Sequence, residues 1–490
     1  MTYTAINIGP IVQTLGLARK PRELWAASYL FSHLMKCIIE DLLKIVKKED
    51  IISPAIFDAN EKNGVGLYPD RIFVRKSVSY DSIKDGVNTF ANKLKLDSDY
   101  FNVMVVSGEY TKDAEAIKDL NYKLDCLELL NKCVGDNSVE KIRNLIVEDN
   151  WNFMNNAFDS QEEKPTGTLA EYATSELKSF GTWKVFQENI KKDNDKEAFK
   201  TFPKDVLKSY HKYICVVQAD GDNVGKTVSN EKLADGKVKE ISDQLLKFGK
   251  NAKKAIDEFG GLPIYAGGDD LLFIAPVVGR DGSTILNLLD RLNDESFKCV
   301  ADKVEECHLT KDGKQIKASL SFGVSISYYK YPLYETLENA RTLLFANAKK
   351  TSDKNAVAIE LRKHSGGSFY MVLSKNKQDL KEKFNAMIKA SSANDSVVSA
   401  VSHKIRSNEG LLGLWVNDEN DSTDNFVRNE NFFKKYMEYS TTNPDPYKKA
   451  TLDLLNELCK VERDSKKLIK SLYGMLRIAK FINGEEVIDE

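Results

Sequence analysis

The sequence predicts an α+β chain: two ferredoxin-like units, a helical insertion between them, and a helical C-terminal domain. Three observations lead there. Short apolar runs alternate with amphipathic stretches in strand–helix–strand order twice, over 3–106 and over 213–361. A polar, helix-patterned stretch separates the two. From about 370 onward the pattern is nearly all helical. At 490 residues the chain exceeds one ordinary core. The expected domains are 1–110, 111–210, 211–368 and 369–490.

In the first unit, residues 3–8 (YTAINI) read as a strand and 22–47 as a long, mostly buried helix with apolar residues three and four apart. Trp25 falls on its core side. Ile72 to Val74 is a strand, 80–95 a helix, and Asn102 to Val106 a buried strand. The insertion ends near Pro203. In the second unit, 213–219 (YICVVQA) is a continuous apolar run, hence a central strand. A helix (236–258) leads to Leu262–Ala266, a turn, and Leu271–Ala275, two apolar runs around glycines that read as a hairpin. A helix (283–306), a strand (317–327), a helix (333–349) and a last strand (355–361) complete it. Loops are expected at 407–424 and 440–446.

Composition narrows the function classes. The chain is 42% hydrophobic and 29% charged, with a formal charge of −2. It lacks the basic excess of a free nucleic-acid binder, so RNA contacts must come from local patches or partner subunits. No run of about 18 apolar residues predicts a membrane span, and the opening residues lack a signal-peptide pattern. Seven scattered cysteines, with no CxxC pair, predict neither disulfides nor a zinc ribbon. A cytoplasmic location is expected.

The chemistry is expected where two acidic turns meet. One strand runs into Asp220-Gly221-Asp222-Asn223-Val224-Gly225, and the hairpin turns at Gly267-Gly268-Asp269-Asp270. As sheet neighbours, they bring Asp220, Asp269 and Asp270 to one end. Carboxylates so placed repel each other unless cations lie between them. Oxygen-rich donors with open positions suit Mg²⁺ or Mn²⁺, and two such ions can activate a hydroxyl and stabilise a leaving pyrophosphate. This is the order of a palm (nucleotide-cyclase-like) domain. The metal set is expected to be Asp220, Gly221, Asp269 and Asp270. Nucleotide contacts are expected from Gly221, Asp222, Asn223, Gly225, Lys226, Gly267, Gly268, Ser321, Gly323 and Lys349. Gly267 and Gly268 would permit positive φ, Asn223 would reach ribose or base, and Lys226 a phosphate. Gly323 would admit the adenine or mark a bulge. Each motif has a plainer reading: GGDD as a turn with acidic tips, Lys349-Lys350 as cations at a helix end, Arg19, Lys20 and Arg22 as a solvated helix start. Counted from Asp220, Asp222, Gly225 and Glu231 also fit calcium-loop spacing, but such a loop joins two helices, and Asp220 follows a strand.

These motifs resemble the large, polymerase-like subunit of type III-B (Cmr) CRISPR effector complexes. The resemblance rests on Ile8-Gly9-Pro10-Ile11-Val12-Gln13 with Ala18 to Leu30, on the Asp220 and GGDD segments, and on Leu361-Arg362-Lys363-His364-Ser365-Gly366. It implies two facing palms, ATP as substrate, and attack of an acceptor 3′-hydroxyl on the α-phosphate. Its product would be a nucleotide messenger for antiviral defence. Other Cmr subunits, guide CRISPR RNA and target RNA are the implied partners, with target pairing as the switch. Three departures matter. None of His33, His211, His308, His364 and His403 precedes an Asp, so no HD-type DNase is expected. Only Cys126 and Cys133 lie in the insertion, so the zinc site common in relatives is not expected. In Leu67-Tyr68-Pro69-Asp70-Arg71-Ile72-Phe73, Asp70 stands where relatives carry Asn. Asp70 and Arg71 then border the acceptor pocket, and a carboxylate there favours a cationic acceptor such as S-adenosylmethionine over the polyphosphate that cyclic oligoadenylate synthesis requires; a harmless loop carboxylate is the plainer reading. The alternatives are a free-standing diguanylate-cyclase-like enzyme and a catalytically silent RNA-binding scaffold.

Overall fold

The computed structural model describes residues 1–56, 65–130, 136–147, 165, 167–311, 313–351, 354–391, 395–416, 422–462 and 464–484. The first unit contains β1 (Thr2–Gly9), β2 (Ile51–Ser53), β3 (Arg71–Val74) and β4 (Asn102–Glu109). They form one sheet in the order β2-β3-β1-β4, every neighbouring pair antiparallel. Helices Pro21–Leu42 and Lys84–Lys93 make the two crossovers. This is the ferredoxin-like βαββαβ order. The sequence reading lacked β2, which at three residues is too short to show a period.

The second unit repeats the plan. β5 (Tyr213–Asp222), helix Lys237–Phe259, β6 (Leu262–Gly267), β7 (Asp270–Pro276), helical residues 285–305 and β10 (Ser319–Tyr328) follow in turn, after a small hairpin of β8 (Thr310–Lys311) and β9 (Lys314–Gln315). β11 (Ala356–Arg362) and β12 (Ser368–Ser374) extend the sheet to the order β12-β11-β10-β5-β7-β6. Its strands β6-β7-β5-β10 repeat the first unit's order β2-β3-β1-β4. β12 corrects the expectation of helix alone beyond about 370. Likewise, Glu409–Val416 is helical inside the stretch expected as loop, and the first long helix ends at Leu42 rather than 47.

β5 is buried on both faces, which explains its unbroken apolar run. Cys215, Val217 and Ala219 join the core formed with Ile241, Phe248 and Ala252 of the 237–259 helix. Ile214 and Val216 join a second core with Leu24, Ala27, Phe31 and Leu34 of the first unit. Trp25 is fully buried there and stacks on Tyr29. The first unit's long helix thus packs on the second unit's sheet. A hydrogen bond from Ala266 N to Gly66 O (2.9 Å) joins the two backbones beside the GGDD turn. The C-terminal helices close over the outer edge, where Gly474 lies against the Tyr370 backbone with no room for a Cβ. Among the described residues no helix is long and apolar enough to cross a membrane.

Candidate active site

The hairpin brings the acidic residues together. Gly267 pairs with Asp270, leaving a two-residue loop of Gly268 and Asp269. Gly268 takes φ +66°, as the first position of such loops often does. Gly267 keeps an ordinary backbone, so only one of the two glycines supplies positive φ. β5 pairs with β7 up to Ala219↔Leu271, and beyond it Gly221 N donates to Asp269 O at 3.1 Å. A Cβ on Gly221 would fall 2.6 Å from Asp269 Cβ. This glycine is what lets the two acidic turns touch.

The electrostatics follow from that convergence. Removal from bulk water raises the Asp220 carboxyl, and Lys349 pulls it back. Burial and then the Asp220 charge lift Asp269 to about 7. Asp270 keeps contact with solvent at the start of β7, yet desolvation among the converging groups and then the charges of Asp269, Asp220 and Asp70 push its carboxyl above the usual carboxylate range. Such a site asks for positive charge. Lys349 answers it in part: its Nζ lies 2.5 Å from Asp220 Oδ1 and 3.3 Å from Gly221 O. A cation therefore already sits between two of the expected metal donors. Among the described residues no acidic, cysteine or histidine group is preorganised as a metal cage. The donors themselves, three carboxylates and a carbonyl, are the hard oxygen set that suits Mg²⁺ or Mn²⁺.

Several residues expected to touch nucleotide do other work. Asp222 is fully buried, and its Oδ2 accepts from Ser319 Oγ (2.9 Å), Ser321 Oγ (2.7 Å) and Asn355 N (2.9 Å). It ties β5 to β10 and to the turn before β11; Ser321 is consumed in the same network. Gly323 neither marks a bulge nor opens a base pocket: β10 pairs with β5 without interruption there, and the glycine is pressed against the backbone of Ala340 and Leu344. Asn223, at φ +65°, donates its side-chain amide to Lys317 O (2.9 Å). Gly225 and Lys226 are exposed on the short helix that follows. Glu231, twelfth from Asp220, pairs with Lys118 at 2.6 Å, and Asp220 and Asp222 both lie within strand β5, so no calcium loop forms.

Asp70 and Arg71 part company. Arg71 is pinned by Asn121 (2.7 Å), Asp125 (2.7 Å) and Glu128 (2.8 Å), away from the acidic cluster. Asp70 lines a cavity of about 200 Å³ between the two units, with Phe31, Tyr68, Gln218, Tyr265 and Asp270. Its carboxyl is raised by burial, with Arg71 opposing. Sequence reasoning missed Tyr265, whose phenol burial and Asp70, Asp270 and Asp269 push far above its usual range. It also missed Lys354, whose charge acts on Asp220. Tyr265 offered a signal, two residues before the GGDD turn; Lys354 offered none. Of the insertion's cysteines, Cys126 is exposed and Cys133 lies outside the described residues.

Comparison with known proteins meets this geometry. Residues 213–358 match the family model for the Cas10/Cmr2 second palm domain, and residues 3–92 match the N-terminal model of CRISPR-associated protein Cmr2. An alignment 186 positions long, covering 33% of this chain, is 32% identical to the CRISPR system Cmr subunit Cmr2 of Pyrococcus furiosus and spans only 20% of that protein. Among solved structures, the apo state of a type III-B Cmr-β complex gives a TM-score of 0.59 at 12% identity, covering 98% of this chain and 81% of that one. A Csm1–Csm4 cassette in complex with AMPPNP gives 0.53 at 12% identity, covering 98% and 69%. The likeness to these structures is one of fold.

Proposed function

The two matched domains belong to the Cas10/Cmr2 family, and from that premise we propose that the chain is the large subunit of a type III-B CRISPR effector complex whose second unit is a metal-dependent nucleotidyltransferase acting on ATP. The observation that carries this is the convergence of Asp220, Asp269 and Asp270 around a lysine ammonium at one sheet end. That a solved cassette of this fold is a complex with AMPPNP supports ATP as donor.

In this reading Asp220, Asp269, Asp270 and the Gly221 carbonyl hold two Mg²⁺ or Mn²⁺ ions. When bound, the ions activate the acceptor 3′-hydroxyl and stabilise the pyrophosphate that leaves. The chain's own residues do the rest. Gly221 lets the two turns meet. Lys349, released from Asp220, turns its ammonium to the triphosphate. Asp222 holds the frame. The cavity between the units receives the acceptor, and its chemistry selects the substrate. Asp70 and Asp270 are acidic there, while Phe31, Tyr68 and Tyr265 offer rings. Desolvation raises both carboxyls; a positively charged acceptor lets them ionise and is held by them, whereas a triphosphate is not. S-adenosylmethionine, with a 3′-hydroxyl, a sulfonium and an ammonium, fits this wall better than ATP, and adenylylated S-adenosylmethionine is the product expected ahead of cyclic oligoadenylate. Guide RNA, target RNA and the other Cmr subunits are the partners in this reading, with target pairing as the activating event.

The experiment is incubation of the assembled complex, with and without target RNA, with labelled ATP and either S-adenosylmethionine or none. A labelled adduct that needs both target RNA and S-adenosylmethionine is expected. Product from ATP alone, unchanged by the second compound, removes the acceptor assignment but leaves the nucleotidyltransferase. No product under any condition, or the same phenotype from Asp269→Ala/Asp270→Ala as from wild type, leaves only a scaffold.

A further inference from the structure

A second cavity, about 420 Å³, lies at the opposite end of β6 from the GGDD turn. The connector over 167–187, the C-terminal end of the 237–259 helix and the segment carrying Arg280 enclose it. Its charged groups are Lys178, Lys253 and Arg280 against Glu171 and Asp257. Both carboxylates are already engaged. Glu171 accepts from Thr168 N (2.6 Å) and from Gln187 Nε2 (2.5 Å), and Asp257 pairs with Lys253 at 2.6 Å.

Lys178 and Arg280 are left over. Neither forms an ion pair among the described residues, and Arg280 Nη1 makes one contact, to Asp257 O at 3.3 Å. The two are near enough to repel: the Lys178 ammonium is held below its usual range by burial and then by Arg280. A separate observation points the same way. Ser175 is 2% exposed, lines the cavity, and its Oγ has no hydrogen-bond partner. An unpartnered buried hydroxyl is destabilising, and a ligand oxygen would relieve it. Tyr172 and Trp183 add aromatic walls, and the volume lies in the usual small-ligand range of roughly 300–1,000 Å³.

We propose that this cavity binds a nucleotide through its phosphate, with Lys178 and Arg280 on the phosphate oxygens, the Ser175 hydroxyl donating to them, and Tyr172 and Trp183 flanking the base. The site is separate from the catalytic turn and does not depend on the reaction assigned above. The nucleotide comes either free or as part of an RNA strand; the phosphate chemistry is common to both.

The test is calorimetric titration of the full chain, without divalent metal, using AMP, inorganic phosphate and a 5′-phosphorylated single-stranded RNA. Lys178→Ala/Arg280→Ala is compared with wild type. Loss of two charge-assisted contacts predicts weakening of about ten-fold or more. Weakening for AMP and phosphate assigns a free nucleotide; weakening confined to the RNA, with a shallower salt dependence, assigns a strand. Hydrogen exchange should slow over 169–187 and 253–262 when the probe binds. Equal affinities for wild type and variant, or no binding of any probe to wild type, overturn the proposal. Ser175→Ala, a smaller change, gives a second reading should the double variant misfold.

Discussion

The two ferredoxin-like units share a strand order but not a charge set, and their registers can be laid side by side. In the first, Asn7 pairs with Arg71, and Ile8 N donates to Asp70 O at 3.1 Å. In the second, Gly221 N donates to Asp269 O at the same 3.1 Å. Asn7, Asp70 and Arg71 therefore stand where Asp220, Asp269 and Asp270 stand. Two of three carboxylates are gone from the first unit, one replaced by a neutral amide and one by a cation. A helix then closes over what remains: Asp113–Glu128 supplies Asn121, Asp125 and Glu128 to Arg71, and Glu128 also to Asn7. Among the described residues of the second unit, Lys349 pairs directly with Asp220 and the Lys354 charge acts from farther off, with no clamp like that of the first unit. The fold fixes where three side chains meet; their charges decide whether the meeting place is a metal site or a structural clamp. Of these three positions in the first unit only Asp70 is acidic, and it lines the cavity it shares with Asp270.

The sharpest way to break this comparison is to write one unit's charges into the other. Asp220→Asn/Asp270→Arg gives the second unit the charge set of the first. Nucleotidyl transfer from labelled ATP is expected to fall by about 10³-fold or more, since the electrostatic stabilisation of the transition state goes with it. Thermal stability should hold or rise, because two repelling carboxylates are removed. Activity within ten-fold of wild type would mean that the three-carboxylate register is not the site. A smaller effect is expected from Asp70→Asn, which leaves the first unit with no acid in this register. Rates with S-adenosylmethionine should fall by about ten-fold, and the ATP-only reaction should be unchanged or faster. Equal loss with both acceptors would assign Asp70 to packing instead.

The acidic register was legible in the sequence; its surroundings were not. An apolar run ending in Asp220 and a hairpin with glycines before two acids are local signals, and strand order did the rest. Asp222 looked like a ligand because it is two residues from Asp220. Its capture by Ser319, Ser321 and Asn355 depends on a strand and a turn about a hundred or more residues away. Gly323 looked like room for a base, but the close approach of the 333–342 helix leaves no trace in its own neighbours. Arg71 sat beside Asp70 in the chain, and its capture by Asn121, Asp125 and Glu128 depends on a helix 50 or more residues away. β12 did carry a signal: Met371 and Leu373 are buried two apart, a strand period that the helical reading of that stretch overran.

Asp222 gives the third prediction. Asp222→Ala removes the acceptor for two hydroxyls and a backbone N–H, so stability should fall by roughly 1–3 kcal/mol. Calorimetry would read this as a lower melting temperature, with any loss of transfer activity following the loss of fold. An unchanged melting temperature with lost activity would return Asp222 to the nucleotide site.

The last effect, a slope against pH rather than an outright loss, concerns the strand pair that the second unit has and the first lacks. At the end of β12, Lys375 is buried over the Phe322 ring, 4.5 Å from its centre, with Leu289 O at 3.2 Å and Asp290 at 3.8 Å. Asp290 is shared with Lys381 at 2.9 Å. Burial lowers the Lys375 ammonium to about 8, with Asp290 and Asp294 opposing and Lys381 assisting. The folded protein therefore binds fewer protons than the unfolded chain between about 8 and 10.5, so stability from this group rises as pH climbs through that window and is lost below it. The full span corresponds to about 3 kcal/mol at most. Lys375→Met keeps the packing and removes the titration, at the cost of the contact to Leu289 O. Its stability relative to wild type should therefore be most favourable near pH 7 and should decline as pH rises toward 10, read from denaturant midpoints of both proteins in the same buffers. A difference between the two that stays flat across the window would mean that water reaches the ammonium, and that β11 and β12 cover the sheet edge less tightly than the packing around Phe322 implies.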